Sequence, residues 1–320
     1  MTNPTPHRFL SITTPVNLEA EEEKFLSSRT YNPIFRFNWE KKPMQALDKN
    51  KNLRQLKQAI FEQDHRLTVK FARKVFQTTF DIGTRDAAQL VVDNRPEYKR
   101  TIKMSDVANA FQRAFDILDI DYAVNIVQKG GFYFRPNHFR RDISISYKAA
   151  LQFFTIDGVV KHELTHVIRH LNGEANDLPT TLDYLPTEEG LASYMQDYHG
   201  ERGDASLFQH AAEYNASLVG LNGSLREIFD YFRSLGFNKK IAWQRAARHK
   251  FGFGDTSKPG DIIKPAMYFH HEQKIKELPE DRRWILFSAK ESQKQLGRLS
   301  EYKGIIPLEK LKLFFGSHFT

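Results

Sequence analysis

Residues 161–173 read KHELTHVIRHLNG, and the reading of this stretch decides the fold. His162 and His166 are four residues apart, so on a helix both imidazoles lie on one face and reach a single ion. Glu163 follows about 100° round the helix, beside that ion, where a carboxylate takes the proton of an attacking water. Val160, Leu164, Val167 and Leu171 recur at helical spacing and point roughly opposite the histidines. The helix is therefore expected to bury one face and to offer the other to a cleft. Asn172-Gly173 reads as its stop signal. The bland alternative, two histidines on a solvated face, fits this wheel poorly.

A hydrolytic zinc takes three protein ligands and keeps one position open. The segment NGEANDLPTTLDYLPT, residues 172–187, reads as a loop, and Thr187 as the N-cap of a second helix, EEGLASYMQDYHG. Glu188 and Glu189 arrive in its first turn, where a third ligand is needed, and spacing does not choose between them. The competing reason for an acidic pair at that place is compensation of the helix dipole. Gly190 and Ala192 are small enough for this helix to pack close to the HELTH helix.

KHELTHVIRHLNG followed by PTEEGLASYMQD resembles the bacterial proteins marked by a Gln-Glu-Gly-Leu-Ala motif. Their eukaryotic relatives are the microtubule-associated tyrosine carboxypeptidases, which remove the C-terminal tyrosine of α-tubulin. The matching elements are His162-Glu163, Thr165-His166, Arg169, Asn172-Gly173 and Glu188-Glu189-Gly190-Leu191-Ala192. Weaker similarities lie at Tyr31-Asn32-Pro33 with Phe35, and around Arg245, Arg248, Lys264 and Tyr268. The resemblance spans most of the chain and is specific from about residue 160 to 197. It implies one zinc ion held by His162, His166 and Glu189, with Glu188 in the position of the family's glutamine. It also departs from the family, whose usual motif, HExxxH, has one residue more between the histidines than the HExxH of this chain. An i, i+5 pair needs a locally widened helix and an i, i+4 pair needs none. The departure leaves metal binding intact and loosens any transfer of substrate preference.

The expected chemistry follows. Glu163 is the general base. Tyr268, which matches a family tyrosine, and then Arg248 are the candidate donors to the tetrahedral oxyanion. A carboxypeptidase also needs a cation for the substrate's terminal carboxylate, for which Arg169, Lys264 and Arg245 are candidates. Arg169 has a second possible task, bracing Glu189 or its helix. His170 and His199 read as surface or hydrogen-bonding residues, and the pair His270-His271 reads as surface.

Composition fits a compact enzyme. The chain has 320 residues, 40% of them hydrophobic and 13% aromatic, enough for a sizeable core and too apolar for disorder. It has no cysteine, which excludes disulfides and thiolate ligands. No apolar run approaches the roughly 20 residues of a membrane span, and the first residues lack a signal peptide's blocks. A cytoplasmic location is the default expectation, with signal-less secretion as the alternative. The formal net charge of +8 favours acidic partners. Its basic residues are scattered and no nucleic-acid motif accompanies them, so neither nucleic acid nor membrane is an expected partner.

The expected fold class is α+β, zincin-like and mostly helical, with a small antiparallel or mixed sheet next to the HELTH helix. Residues 1–100 read as an N-terminal arm and helical region, 101–200 as the catalytic core, and 201–320 as a C-terminal helical region packing on the site, together one compact unit. TIKMSDVANAFQRAFDIL (101–118) places Val107, Phe111, Phe115 and Leu118 on one face. YAVNIV, GFYFR and DISISY read as strands with a turn at Gly130-Gly131, and DISISY (142–147) is a candidate edge for binding a peptide by strand addition. Helical patterns cover 205–219, 223–235, 239–250, 264–277 and 306–315. The loop GFGDTSKPGD (252–261) reads as a mobile rim. The functional expectation is a zinc metallopeptidase removing C-terminal, tyrosine-like residues from a protein or peptide tail; an acidic, tubulin-like tail comes from the resemblance alone. An endopeptidase, a non-catalytic zinc-bearing binding protein and a basic nucleic-acid module are the alternatives.

Overall fold

The helical patterns of the sequence become helices in the computed structural model, which describes residues 13–38, 50–95, 102–128, 134–146, 155–178, 180, 183–198 and 204–317. In chain order these are α1 (Leu18–Ser27), α2 (Lys51–Phe61), α3 (His65–Phe76), α4 (Ile82–Asp93) and α5 (Met104–Leu118). The strands β1 (Ala123–Val127), β2 (Phe134–Asn137) and β3 (Asp142–Ser146) follow. Then come α6 (Ile156–Ala175), α7 (Leu185–Gln196), α8 (Asp204–Asn222), α9 (Leu225–Ser234), α10 (Lys239–His249) and α11 (Lys264–Lys276). The chain ends with α12 (Glu280–Ile285), a 3-10 turn at Leu286–Ser288, α13 (Gln293–Leu296) and α14 (Leu308–Gly316). This is a mostly helical α+β protein with one small mixed sheet. Among the described residues no helix is long and apolar enough to cross a membrane.

The chain divides into two compact units, Met1–Gln89 with His210–His270, and Leu90–Gln209 with His271–Thr320. Of the three segments expected from sequence, the first falls mostly in the first unit and the middle one in the second. The last contributes to both.

In the first unit, α2 packs on α3 and α9 on α10. Each of these helices opens on a side-chain cap that satisfies an end N–H: Asn50, Asp64, Ser224 and Asn238 accept from Leu53, Leu67, Glu227 and Ile241 respectively. The polar interior of this unit is an ion-pair chain. His249 is fully buried, with Nδ1 2.7 Å from Asp261 Oδ2 and Nε2 2.7 Å from Glu213 Oε2, while Arg245 pairs with the other Glu213 oxygen. Burial opposes charge on His249, but Asp261 and Glu213 outweigh it and raise the imidazole to about 9. Burial likewise opposes charge on Glu213, yet Arg245 and His249 hold it down to about 2. A raised imidazole stabilises the fold fully below its unfolded value of 6.5 and loses that contribution as pH climbs through 9. A depressed carboxyl does the reverse, losing its contribution as pH falls from 4.5 towards 2. The midpoint of urea unfolding should therefore fall between pH 6.5 and 9; a midpoint level across that range would show that His249 is not charged in the native state.

Residues 252–261 are not a mobile rim. Phe253 and Thr256 are buried, and the backbone is bonded along its length: Gly252 N to Thr13 O, Phe35 N to Gly254 O, Leu225 N to Thr256 O and Gly260 N to Gly220 O. The Lys250 ammonium sits beneath it and donates to the carbonyls of Gly220, Gly223, Lys258 and Gly260 at 2.6–3.2 Å. The segment is exposed only at Ser257, Lys258 and Pro259, and two of its carbonyls, those of Lys258 and Gly260, face the buried cation. Tyr31-Asn32-Pro33 serves the same unit: Asn32 Oδ1 accepts from Arg226 N, and Pro33 O from Thr256.

The second unit is built on one apolar cluster. Val107, Phe111, Phe115 and Leu118 of α5 meet Val160, Leu164, Val167 and Leu171 of α6, all at most 8% exposed, with Ile143 and Ile145 of β3 beside them. Trp284, Phe287, Phe314 and Phe315 close it from the C-terminal side. Lys161, one residue before His162, adds a polar tie by donating to Phe315 O and Ser317 O, both at 2.8 Å.

Several sequence expectations for this unit are corrected. The sheet order is β1-β3-β2, with β1 parallel and β2 antiparallel to β3. β3 thus has hydrogen-bonded neighbours on both sides and every residue buried, which leaves it no edge for a peptide. Tyr147 and Gly130-Gly131 lie outside the described residues. Asn172-Gly173 does not stop the HELTH helix, which runs on to Ala175 and ends at Asp177 in a left-handed conformation (φ 51°). Asn172 is wholly buried and works as a bracket, donating to Phe287 O and Tyr302 O–H and accepting from Ile305 N. Thr187 is not an N-cap. The second helix starts at Leu185 with Pro186 in its first turn, and Thr187 Oγ1 accepts instead from Gln293 N. His270 and His271 are buried rather than superficial, at 2% and 7% exposure.

α7 packs closely on the HELTH helix, as expected, but Gly190 is not where they meet. A Cβ on Gly190 would stand 2.6 Å from His271 Cβ and 2.9 Å from its backbone, so this glycine admits α11, not the HELTH helix. The close approach of α6 and α7 is at Gly158, where a Cβ would meet Gln196 Cγ at 3.0 Å. Because the obstacle at Gly190 is backbone, Gly190→Ala should cost about 1–3 kcal/mol in urea unfolding. A loss under about 0.5 kcal/mol would mean that α11 yields without strain.

Candidate metal centre

The site is made by two helices, α6 and α7. The i, i+4 spacing and the apolar stripe on the far face leave His162 and His166 partly open, with side chains 14% and 12% exposed. Glu189 comes from the first turn of α7, its side chain 11% exposed. Its Oε2 lies 3.6 Å from His162 Nε2 and 3.6 Å from His166 Nε2. The three residues form a group whose ligand atoms all lie within 4.8 Å of one another and could hold a metal ion. Ligand atoms about 2.1 Å from a tetrahedral ion are about 3.4 Å apart, close to the 3.6 Å from Glu189 Oε2 to each imidazole nitrogen.

The outward-facing nitrogens are occupied, and this fixes which atoms can ligate. His162 Nδ1 is 3.1 Å from Gln196 Oε1, and Gln196 in turn donates to Ser206 Oγ at 3.0 Å. An acceptor at Nδ1 sets the proton there and leaves Nε2 as the lone-pair nitrogen. His166 Nδ1 is 2.8 Å from Glu188 Oε1, which has the same effect. The two adjacent glutamates thus divide the work that spacing alone left open. Glu189 faces the histidine nitrogens that converge, and Glu188 stands behind His166.

Glu188 is buried, at 3% exposure. Burial alone would raise it, but Lys290, His166 and Arg169 outweigh burial and hold it far below the usual carboxylate range. Arg169 is fully buried; Nε donates to Leu286 O at 2.8 Å, Nη2 to Glu291 O at 2.7 Å and Nη1 to Glu188 Oε2 at 3.2 Å. Each nitrogen of its fork is engaged, so it braces Glu188 instead of presenting a cation to a substrate carboxylate. Glu163 lies beside the group, and burial pushes its carboxyl up, with Glu189 adding to the rise and the two histidines opposing it. That moves Glu163 towards the range of a working general base.

Sequence reasoning missed Lys290, His138, Gln196 and Tyr184. Lys290 Nζ is 2.9 Å from Glu188 Oε1 and 3.1 Å from His138 Nε2. His138 Nδ1 is 3.0 Å from the Tyr122 hydroxyl, and its ring stacks on His170 at 4.0 Å. Tyr184, which precedes α7, is buried, and burial with the charges of Glu188 and Glu189 keeps its phenol protonated. Gln196 was readable in principle, as the residue seven after Glu189 on the same helix. Tyr184 stands at the start of α7, whereas Lys290 and His138 come from distant segments.

The remaining candidates lie in the first unit. Arg245 is buried and paired with Glu213, which removes it as a receptor for a substrate carboxylate. Arg248 sits in the last turn of α10, where its charge also acts on Glu213. Lys264 opens α11, and Tyr268, half-buried, stacks on His210 with ring centroids 5.7 Å apart. His199 lies outside the described residues.

No protein-family model matches the chain, and the curated proteins hold no match to it.

Proposed function

We propose that the chain is a zinc-dependent metallopeptidase of the glutamate-zincin type, with His162, His166 and Glu189 as ligands and Glu163 as general base. The observation that carries this reading is the convergence of two Nε2 atoms on one Glu189 oxygen, both at 3.6 Å, with both Nδ1 atoms occupied from behind. A zinc ion bound there supplies a Lewis acid that polarises a scissile carbonyl and acidifies water. Glu163 accepts the proton of the attacking water and returns it to the departing amine. Glu188 and Gln196 hold the two imidazoles in the ligating tautomer throughout.

Removal of a C-terminal residue is the finer part of the proposal, and it is supported by the resemblance of residues 161–197 to the tyrosine carboxypeptidases. A protein or peptide tail is the substrate class, and the charge of +8 favours an acidic one. An endopeptidase is the second reading, favoured by the commitment of Arg169 to Glu188, which takes the motif's own cation away from a terminal carboxylate.

The test is incubation of zinc-loaded protein with a peptide mixture that includes acidic peptides ending in tyrosine or phenylalanine, read by mass spectrometry. Loss of single C-terminal residues, abolished by a chelator, is the expected result. Internal cuts establish the second reading. Stoichiometric zinc without cleavage of any peptide, or of a tubulin-tail protein, would overturn the enzymatic proposal.

A further inference from the structure

Two carboxylates stand side by side at the start of α7, and only one faces the histidine Nε2 atoms. Local geometry does not settle which, since both arise in the same helical turn. The difference lies in what reaches each from elsewhere in the chain. Glu188 is met by two cations, Arg169 on Oε2 at 3.2 Å and Lys290 on Oε1 at 2.9 Å. The Oε1 atom that takes Lys290 is also the one 2.8 Å from His166 Nδ1. Lys290 is 8% exposed, so this pairing is formed largely out of water, where charge and direction both count for more.

Lys290 is itself aimed. An ammonium has three donors and no acceptor, so its 3.1 Å contact with His138 Nε2 requires a lone pair on that nitrogen. His138 is then neutral with its proton on Nδ1, towards the Tyr122 hydroxyl 3.0 Å away. Burial first, and then the nearby ammonium, lower the His138 imidazole well below its ordinary value, in agreement with that tautomer. Stacking on His170, one turn beyond His166 on α6, fixes the His138 ring. A line of directed contacts therefore runs from Tyr122 through His138, Lys290 and Glu188 to His166.

We infer that Lys290 is a positioning residue for the metal centre: it anchors Glu188 as the acceptor of the His166 Nδ1–H, so that His166 presents Nε2 and Glu188 stays out of the ligand set. The inference rests on the metal site proposed above and deepens it, by naming what separates the ligating glutamate from its neighbour. Lys290 is outside the group of residues that could hold the ion, and its contact with that group runs through Glu188. Arg169 holds Glu188 by one nitrogen at the other oxygen, and its remaining bonds go to backbone carbonyls, so it does not replace Lys290 at Oε1.

The experiment compares wild type with Lys290→Met, Lys290→Gln and Lys290→Arg. Zinc affinity is measured by competition with a chromophoric chelator, and the visible spectrum of the cobalt-substituted protein reports the coordination geometry. Loss of an outer partner weakens metal binding by about 10–100-fold. That drop is expected for Lys290→Met and Lys290→Gln, together with an altered cobalt spectrum, and Lys290→Arg should restore most of both. If Lys290→Met does not fold, Lys290→Gln, with a similar reach and a donor but no charge, carries the comparison. Unchanged affinity and an unchanged spectrum in a folded, uncharged variant would overturn the inference while leaving the metal site standing. A wild-type protein that takes up no zinc would overturn the metal site and the inference with it.

Discussion

Glu163→Gln should lower kcat by about 10²–10⁴-fold and leave zinc binding at one ion per chain. Glutamine keeps the shape and the hydrogen-bonding reach of glutamate but cannot take up a proton, so the variant removes one chemical ability and little else. Glu163 is not among the three residues whose ligand atoms cluster within 4.8 Å, which is why metal content should be unchanged. The measurement pairs metal analysis of the purified variant with its rate on whichever peptide the wild type cleaves. A variant retaining more than about a tenth of the wild-type rate would remove Glu163 from the role of base and point to water activation by another group. A variant that loses zinc as well would place Glu163 inside the ligand set. The i, i+1 relation of His162 and Glu163 on α6 sets the carboxylate beside the histidines, and that relation is a property of any helix.

Arg169→Met is the substitution expected to cost most in stability, about 3–5 kcal/mol. Methionine fills much of the volume, so the loss is not chiefly one of packing. The guanidinium is wholly buried and bonds the Leu286 and Glu291 carbonyls as well as Glu188, three partners that all lose their donor at once. Glu188 would keep Lys290 and His166 but leave one oxygen facing a thioether, and the two carbonyls would be stranded away from water. Arg169→Lys should recover only part of the deficit, because a single ammonium does not span three acceptors in a planar fork. Urea unfolding of the metal-free proteins checks both. A deficit below about 1 kcal/mol for the methionine variant would mean that water enters and replaces the lost donors.

The parts of the site readable in the sequence are those set by short-range periodicity. Histidines four residues apart, and an apolar stripe opposite, are enough to place His162, His166 and the buried face of α6, because a helix has one spacing and one handedness. The same holds for the α5 stripe of Val107, Phe111, Phe115 and Leu118. What stayed hidden was the assembly of distant segments. Lys290 is 102 residues from Glu188, and 152 from His138, and nothing local to any of them announces the meeting. Asn172-Gly173 misled for a related reason. The pair has the chemistry of a helix stop, and burial against Phe287, Tyr302 and Ile305 overrode it. Strand order escaped likewise: DISISY reads as a strand from its alternation, but whether it lies at the edge or the centre depends on partners that its own residues do not encode. The glycines and proline of 252–261 read as a mobile loop, whereas its carbonyls, invisible to composition, hold it through Lys250.

The Lys250 arrangement carries one more consequence. An ammonium surrounded by four backbone carbonyls does for its loop what a bound potassium or calcium ion does in many proteins, with the ion tethered to the chain by its own side chain. A tethered ion has no dissociation constant and cannot be dialysed out. Stripping the protein with a chelator should thus empty the histidine site and leave the 252–261 segment as firmly seated as before, because the cation that holds this segment is a side chain of the chain itself.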